Sequence, residues 1–466
     1  MLALALSLFL AQEPDLVNGS LAEWKGGRPV GWTIGQGAGN RSGSAVSLIE
    51  KVVDGGACLR GDANTGRWLL LSQSLPLGVG DAFRLSFEAR AFDLRQEGDQ
   101  WPSHHVGMSF FDEGGESRTP HRRRIASEKW TDEEIVGRVP AWAKRADVQV
   151  LLSMSGTLEV RNFHIERLKP EQSFEVLVRH MDRYYSYFDH REIDWAGVVS
   201  RHEKGSGTFV ERIVAMLGEL RDPHVVVSEP GGKQLRTWTP ELHYNFSHEA
   251  VISRLREVKQ IGRNSFVGRT EEGFGYLAVG SLIGDGAVFD QLEAAVGAML
   301  DVRGFLVDLR ANGGGWEANA IRVGALFCDK ERVYARVCYR SGPVHDAFTP
   351  AEDRSIKPRE GATFTGPVIC LIGGACVSSG EALALMFKSM PHATLLGQPT
   401  QGASGNPQPM VLPNGVRITF SRWVAMRPDG SVYEGEGVQP DILVAHEKEG
   451  DSTFEAAIEE LRKRMK

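Results

Sequence analysis

Residues 368–390 read VICLIGGACVSSGEALALMFKSM, and 305–315 read FLVDLRANGGG. In the first, Val368 to Ile372 is an unbroken apolar run, the pattern of a strand buried on both faces. It passes through the small residues Gly373 to Val377 to Ser378, and a helix over Glu381 to Met390 follows at once. In the second, the apolar strand Phe305–Leu309 ends in Arg310-Ala311-Asn312-Gly313-Gly314-Gly315 and is followed by a helix over Ala318–Phe327. Strands passing directly into helices predict a mainly parallel sheet covered by helices. The pattern extends outward to a strand at Phe274–Val279, a helix at Val288–Leu300, a strand at Ala393–Leu396 and a terminal helix at Thr453–Lys466. Residues 236–466 are read as one α/β domain.

The preceding chain differs. From 14 to 168, short alternating segments (Trp68–Gln73, Phe83–Ala89, Gly107–Phe111, Val148–Ser153, Leu158–Ile165) are separated by Gly, Asp, Asn and Pro clusters, which predicts an all-β sandwich. Its opening, Asn18-Gly19-Ser20 with Trp24 and Pro29-Val30-Gly31-Trp32, resembles the jelly-roll modules of bacterial secreted proteins, many of which bind carbohydrate; this implies a glycan partner. His104-His105 is read as a solvated loop rather than a metal site. Residues 169–235 form a small helical domain, with apolar positions such as Phe174, Leu177, Val178 and Met181 at helical spacing. It closes on Arg221-Asp222-Pro223-His224 and a β-like Val225–Val227.

Composition narrows the function classes. With 53 Lys and Arg against 60 Asp and Glu, the net charge is −7 and basic runs are short, such as Arg122-Arg123-Arg124. Nucleic acid is therefore not the expected partner, and no later apolar run is long enough to span a membrane. The five cysteines (Cys58, Cys328, Cys338, Cys370, Cys376) lack zinc-site spacing; Cys370 and Cys376 are read as core. Residues 1–13 hold a short apolar run ending near Ala11, which reads as a signal for export, periplasmic or secreted.

Ser378 stands where chemistry is favoured. At a helix N-terminus the first amides lack acceptors and the dipole favours developing negative charge. A nucleophile there can use the Ser379 N–H as an oxyanion donor. The same residues also suit a plain helix cap, with Glu381 completing a capping box. The three glycines after the central strand let backbone approach a substrate at the sheet's carboxyl edge.

Together the two stretches resemble the S41 peptidase family, the tail-specific (C-terminal processing) and tricorn-like serine proteases. The family's motifs appear as Val307–Gly315, Ser378-Ser379-Gly380-Glu381, Gly397-Gln398-Pro399-Thr400 and Gly437-Val438-Gln439-Pro440-Asp441. Tyr187-Phe188-Asp189 and Ile193-Asp194-Trp195 look like its helical lead-in. The resemblance spans about residues 170–445 and implies a crotonase-like catalytic fold, a peptide or protein substrate, and no metal or organic cofactor.

The processing-protease branch uses a lysine just after the Gly-x-Pro-Thr turn. Here that stretch is Gln401-Gly402-Ala403-Ser404-Gly405, and Lys388 lies nearly three helical turns beyond Ser378. The tricorn-like branch instead implies Ser378 as nucleophile, His224 as general base and Glu434 as the supporting acid, with Glu436 a rival for Glu434. The amides of Gly313 or Gly314 and of Ser379 are the implied oxyanion donors. The stretch 228–273 is too short for the PDZ-like module of many relatives. No candidate catalytic residue precedes Pro170, so a chain beginning there is expected to fold and cleave small peptides. The resulting reading is a serine peptidase. Its alternatives are a non-catalytic ligand- or glycan-binding protein on the same scaffold and an esterase-like acyl hydrolase.

Overall fold

The computed structural model describes residues 16–37, 48–52, 55–61, 68–95, 104–242, 244–341, 344–445 and 450–465. The export signal read in residues 1–13 lies outside them. The α/β region is built on a seven-stranded sheet of β1 (Leu255–Ile261), β2 (Ser265–Thr270), β3 (Gly275–Val279), β4 (Phe305–Asp308), β5 (Val368–Ile372), β6 (Ala393–Gly397) and β7 (Ile442–Leu443), in that spatial order. Strands β3 to β7 pair in parallel, while β1 and β2 form an antiparallel edge. The unbroken apolar runs follow from burial on two faces. Phe305, Val307, Cys370 and Ile372 pack under the helices Gly286–Gly297, Glu317–Ala325 and Ser379–Lys388. Leu306, Ile369 and Leu371 point the other way, onto Phe454, Ile458 and Leu461 of the terminal helix Ser452–Arg464. Two of the strands in the stretch 228–273 are β1 and β2 of this sheet.

The described residues between 24 and 168 form two five-stranded antiparallel sheets and a short hairpin of two two-residue strands. The two sheets share one apolar core that includes Leu71, Phe83, Leu85, Val106, Phe110, Val148 and Leu158. His104 and His105 are not in a solvated loop. They begin the strand His104–Phe111 and are buried, with the His104 ring 2.8 Å from the Ile125 carbonyl oxygen. Their polarity suggested a loop, but they lie side by side on a strand, facing opposite sides of the sheet, and both sides are covered.

Three helices, Ser173–Tyr184, Trp195–His202 and Phe209–Gly218, follow the sandwich. Leu177, Met181, Ile213 and Leu217 share a core with Ala82, Val136 and Leu168 of the sandwich and with Ile418 and Phe420 of the α/β region. The sandwich is therefore packed into the rest of the protein. A four-stranded sheet, in the order Gln234–Arg236, Val226–Ser228, Arg417–Phe420, Gln408–Val411, carries the segment after His224 to the mouth of the parallel sheet.

Candidate active site

Ser378 occupies the turn between β5 and the helix Ser379–Lys388 with φ 58° and ψ −125°. A residue with a Cβ avoids this conformation, at a cost of roughly 1–3 kcal/mol, unless its surroundings over-determine it. The surroundings are visible. The Ser378 N–H donates to the Ala403 carbonyl at 2.9 Å and to Glu381 Oε2 at 3.1 Å. Glu381 is fully buried and also accepts from Ala403 N (2.9 Å), Gly402 N (2.7 Å) and Thr400 Oγ1 (2.6 Å). Burial pushes its carboxyl up to about 7, against those hydrogen bonds. The glutamate of the Ser-x-x-Glu motif thus pins the serine turn to the turn after Gly397-Gln398-Pro399-Thr400.

The glycine turn lies against the serine. Val377 N donates to Asn312 O at 3.0 Å, and Ser379 Oγ donates to Gly315 O at 2.8 Å. Gly314 has φ +77°, and a Cβ there would fall 2.9 Å from Ser378 Cβ and 3.5 Å from its Oγ. Buried Asn312 shapes the turn, accepting from Gly314 N at 2.9 Å and donating to Val279 O at 2.7 Å. Gly313 N donates to Gly280 O at 3.1 Å. Both glycine amides are thus engaged within the protein, whereas the Ser379 amide opens a helix, where N–H groups lack intrahelical acceptors. Buried Arg310 fixes the base of the turn by binding Asp308 at 2.6 Å and Asp451 at 2.6 Å.

His224 and Ser378 line one cleft of about 1190 Å³, with Gly313, Gly315, Ser379, Trp316, Trp423 and Tyr433 on its walls. The carboxylate paired with the His224 ring is Asp222, with Oδ1 3.7 Å from Nδ1. Asp222 is fully buried; it accepts from His224 N at 2.8 Å and from Ser421 Oγ at 2.6 Å. Glu434 is also buried, held by Arg191 at 2.6 Å and by the N–H and hydroxyl of Ser404, each at 2.8 Å. Burial and the nearby Asp222 charge raise its pKa, while Arg191 and His224 oppose the rise. Glu434 lies within electrostatic reach of the histidine but forms no hydrogen bond to it among the described residues. Glu436 is exposed and pairs with Arg427 at 3.3 Å. Lys388 is bound to Asp441 at 2.8 Å and to the Gln439 carbonyl.

Sequence reading alone missed Asp222, Arg191, Asn312 and Ser404. Asp222 carried a signal, because an aspartate two residues before a histidine can cap its amide; Arg191 carried none. Arg122 of the sandwich also lines the cleft. A chain beginning at Pro170 would lack Arg122 on the cleft wall and the packing of Ala82, Val136 and Leu168.

A serine held at a strained strand-to-helix turn, on the carboxyl edge of a parallel sheet with a histidine across the cleft, is the layout of a serine hydrolase centre. Residues 273–444 match the sequence profile of peptidase family S41. The match contains Ser378, the glycine turn and Glu434, while His224 precedes it. Among curated proteins, the carboxy-terminal processing protease CtpA of Bacillus subtilis is 25% identical over 142 residues, 30% of this chain and 28% of its own length. A carboxy-terminal-processing protease of Bartonella bacilliformis is 27% identical over 166 residues, 34% of this chain and 36% of its own. The chain thus spans about a third of the length of these relatives. A crystal structure of a candidate peptidase from Parabacteroides merdae superposes with a TM-score of 0.57 at 26% identity, covering 63% of this chain and 97% of that one.

Proposed function

We propose that this protein is a serine peptidase of S41 type that hydrolyses peptide bonds without a lysine base or a PDZ-like module. Ser378 attacks the carbonyl carbon, and His224 takes the hydroxyl proton and then delivers it to the leaving amine. The buried carboxylates Asp222 and Glu434 stabilise the imidazolium, Asp222 from the shorter distance, and Glu434 is preferred to exposed Glu436. The Ser379 N–H supplies one oxyanion donor. The second comes from the Gly313-Gly314 turn, where Gly314 lies nearest the serine and gives up only a side-chain acceptor, Asn312. The catalytic region is crotonase-like and the sandwich jelly-roll-like. Exposed Trp68 and Trp142 offer the sandwich faces on which a glycan could stack, and the protein acts after export.

The observation that carries the reading is the strained Ser378, held by Glu381 in the cleft that His224 also lines. A fluorophosphonate probe is expected to label the wild type at Ser378 and to leave Ser378→Ala unlabelled. Absence of labelling in folded protein would favour a binding protein on this scaffold. Labelling with turnover of esters but of no member of a peptide library would favour an acyl hydrolase.

A further inference from the structure

The seam between the sandwich and the peptidase region gathers four arginines, and one of them, Arg422, has no carboxylate partner among the described residues. Arg123 and Arg124 end the strand Ser117–Arg124, Arg340 follows the strand Arg332–Tyr339, and Arg422 lies between the strands Arg417–Phe420 and Trp423–Met426. With Tyr184, Tyr339 and the carboxylate residue Glu133 they line a cavity of about 30 Å³. Arg123 pairs with Glu133 at 2.9 Å, and Arg124 pairs with Glu352 at 2.9 Å while donating to Tyr339 Oη. Arg340 donates to the carbonyls of Tyr185 and Val344. Arg422 differs. Among the described residues no carboxylate pairs with it, and its Nε is sealed from solvent without an acceptor. Burial pushes its guanidinium down to about 10, and the charges of Arg122, Arg123 and Arg124 add to that while Tyr339 opposes it.

Arg422 is half-buried with its Nε sealed; a cation held there without a counter-ion carries a desolvation cost, and the group that relieves it is an anion. We propose that this seam is a binding site for one small oxyanion of the phosphate or sulfate class, with Arg422 as its principal donor. The guanidinium fork suits two oxygens of such an ion. The cavity exceeds what one water requires but is too small for a sugar phosphate or nucleotide. The occupant would tie the sandwich strand to the segment beside the active site. Arg422 N donates to Gly405 O at 2.9 Å, Ser421 Oγ binds Asp222, and Trp423 lines the catalytic cleft.

The test is thermal unfolding of the full chain at pH 7 in inorganic phosphate, in acetate and in chloride, at matched ionic strength. Phosphate is expected to raise the wild-type Tm by about 3 °C or more, saturably, and acetate by less. Arg422→Met removes the unpaired charge, so its Tm in chloride should equal or exceed that of the wild type, and phosphate should not raise it. Titration calorimetry of the wild type with inorganic phosphate should show a single site, whatever the variant's folding. No phosphate-specific shift in the wild type, an equal shift in Arg422→Met, or no measurable site by calorimetry would each overturn the proposal. An acetate effect as large as that of phosphate would overturn the oxyanion class.

Discussion

Gly314→Ala tests whether the glycine turn and the serine turn form one rigid unit. The backbone N–H survives this change, so any loss must come from the added methyl group. The methyl would meet Val377 O at 2.8 Å and Ser378 Cβ at 2.9 Å. Ordinary carbon contacts begin near ~3.5 Å, so one turn must give by roughly 0.6 Å. Neither neighbour is the flexible end of a side chain. The residue's φ of +77° costs an alanine about 1 kcal/mol, and forced overpacking about 1–3 kcal/mol more. The expected stability loss is therefore about 2–4 kcal/mol, read from the urea midpoint. A displacement of this size at the nucleophile is expected to lower kcat/KM by about 10²-fold. Gly313→Ala is the internal control: a Cβ there meets nothing within 4 Å, so stability should change by less than about 0.5 kcal/mol. Wild-type kcat/KM in Gly314→Ala, or equal damage in Gly313→Ala, would refute the account of the site as two interlocked turns.

Ser378→Ala and Ser378→Gly should both lack turnover, but the glycine variant should be about 1 kcal/mol the more stable, since only glycine accepts φ 58° without strain; equal urea midpoints would argue against strain. Glu381→Gln should cost about 1–3 kcal/mol, because its NH₂ must face at least one of the Gly402 and Ala403 N–H groups; an unchanged midpoint would remove Glu381 from its positioning role. Asp222→Asn and Glu434→Gln should each move the acid limb of the kcat/KM profile to lower pH, Asp222→Asn further, because the imidazolium loses an anion. A shift in Glu434→Gln alone would restore a single supporting acid. In the sandwich, burial lowers His105 and His121 to about 4. Unfolded histidines take up protons below about 6.5 that these cannot, so stability is full above that pH and lost as pH falls toward 4, by about 3 kcal/mol for each. His121→Gln should flatten the slope of urea midpoint against pH between 7 and 4; an unchanged slope would exclude this histidine as a cause.

The sequence by itself determined the elements that local chemistry dictates. Val368–Ile372 reads as a strand buried on both faces, because every side chain is apolar whichever way it points, and Phe305–Leu309 reads the same way apart from Asp308 near its end. The residues after them lead straight to a helix N-terminus and a glycine turn, so the placement of Ser378, Ser379, Gly313 and Gly314 at strand ends was legible in the chain. Period-two alternation made the sandwich strands equally plain. What lies across the cleft was decided only in three dimensions. Arg191 reaches Glu434 over a separation of 243 residues, and Asp222 accepts from Ser421 over 199; no local pattern encodes such partners. The burial of His104 and His105 depended on what covers each face of their sheet, and the entry of Arg122 into the cleft on how the sandwich packs against the rest of the chain. The engagement of the Gly313 and Gly314 amides was likewise set by acceptors, Gly280 and Asn312, whose placement depends on the folded turn. Side-chain periodicity is a property of one segment and is written in the chain. Hydrogen-bond partnership and charge pairing belong to pairs of distant segments, and only the packed structure brings them within reach.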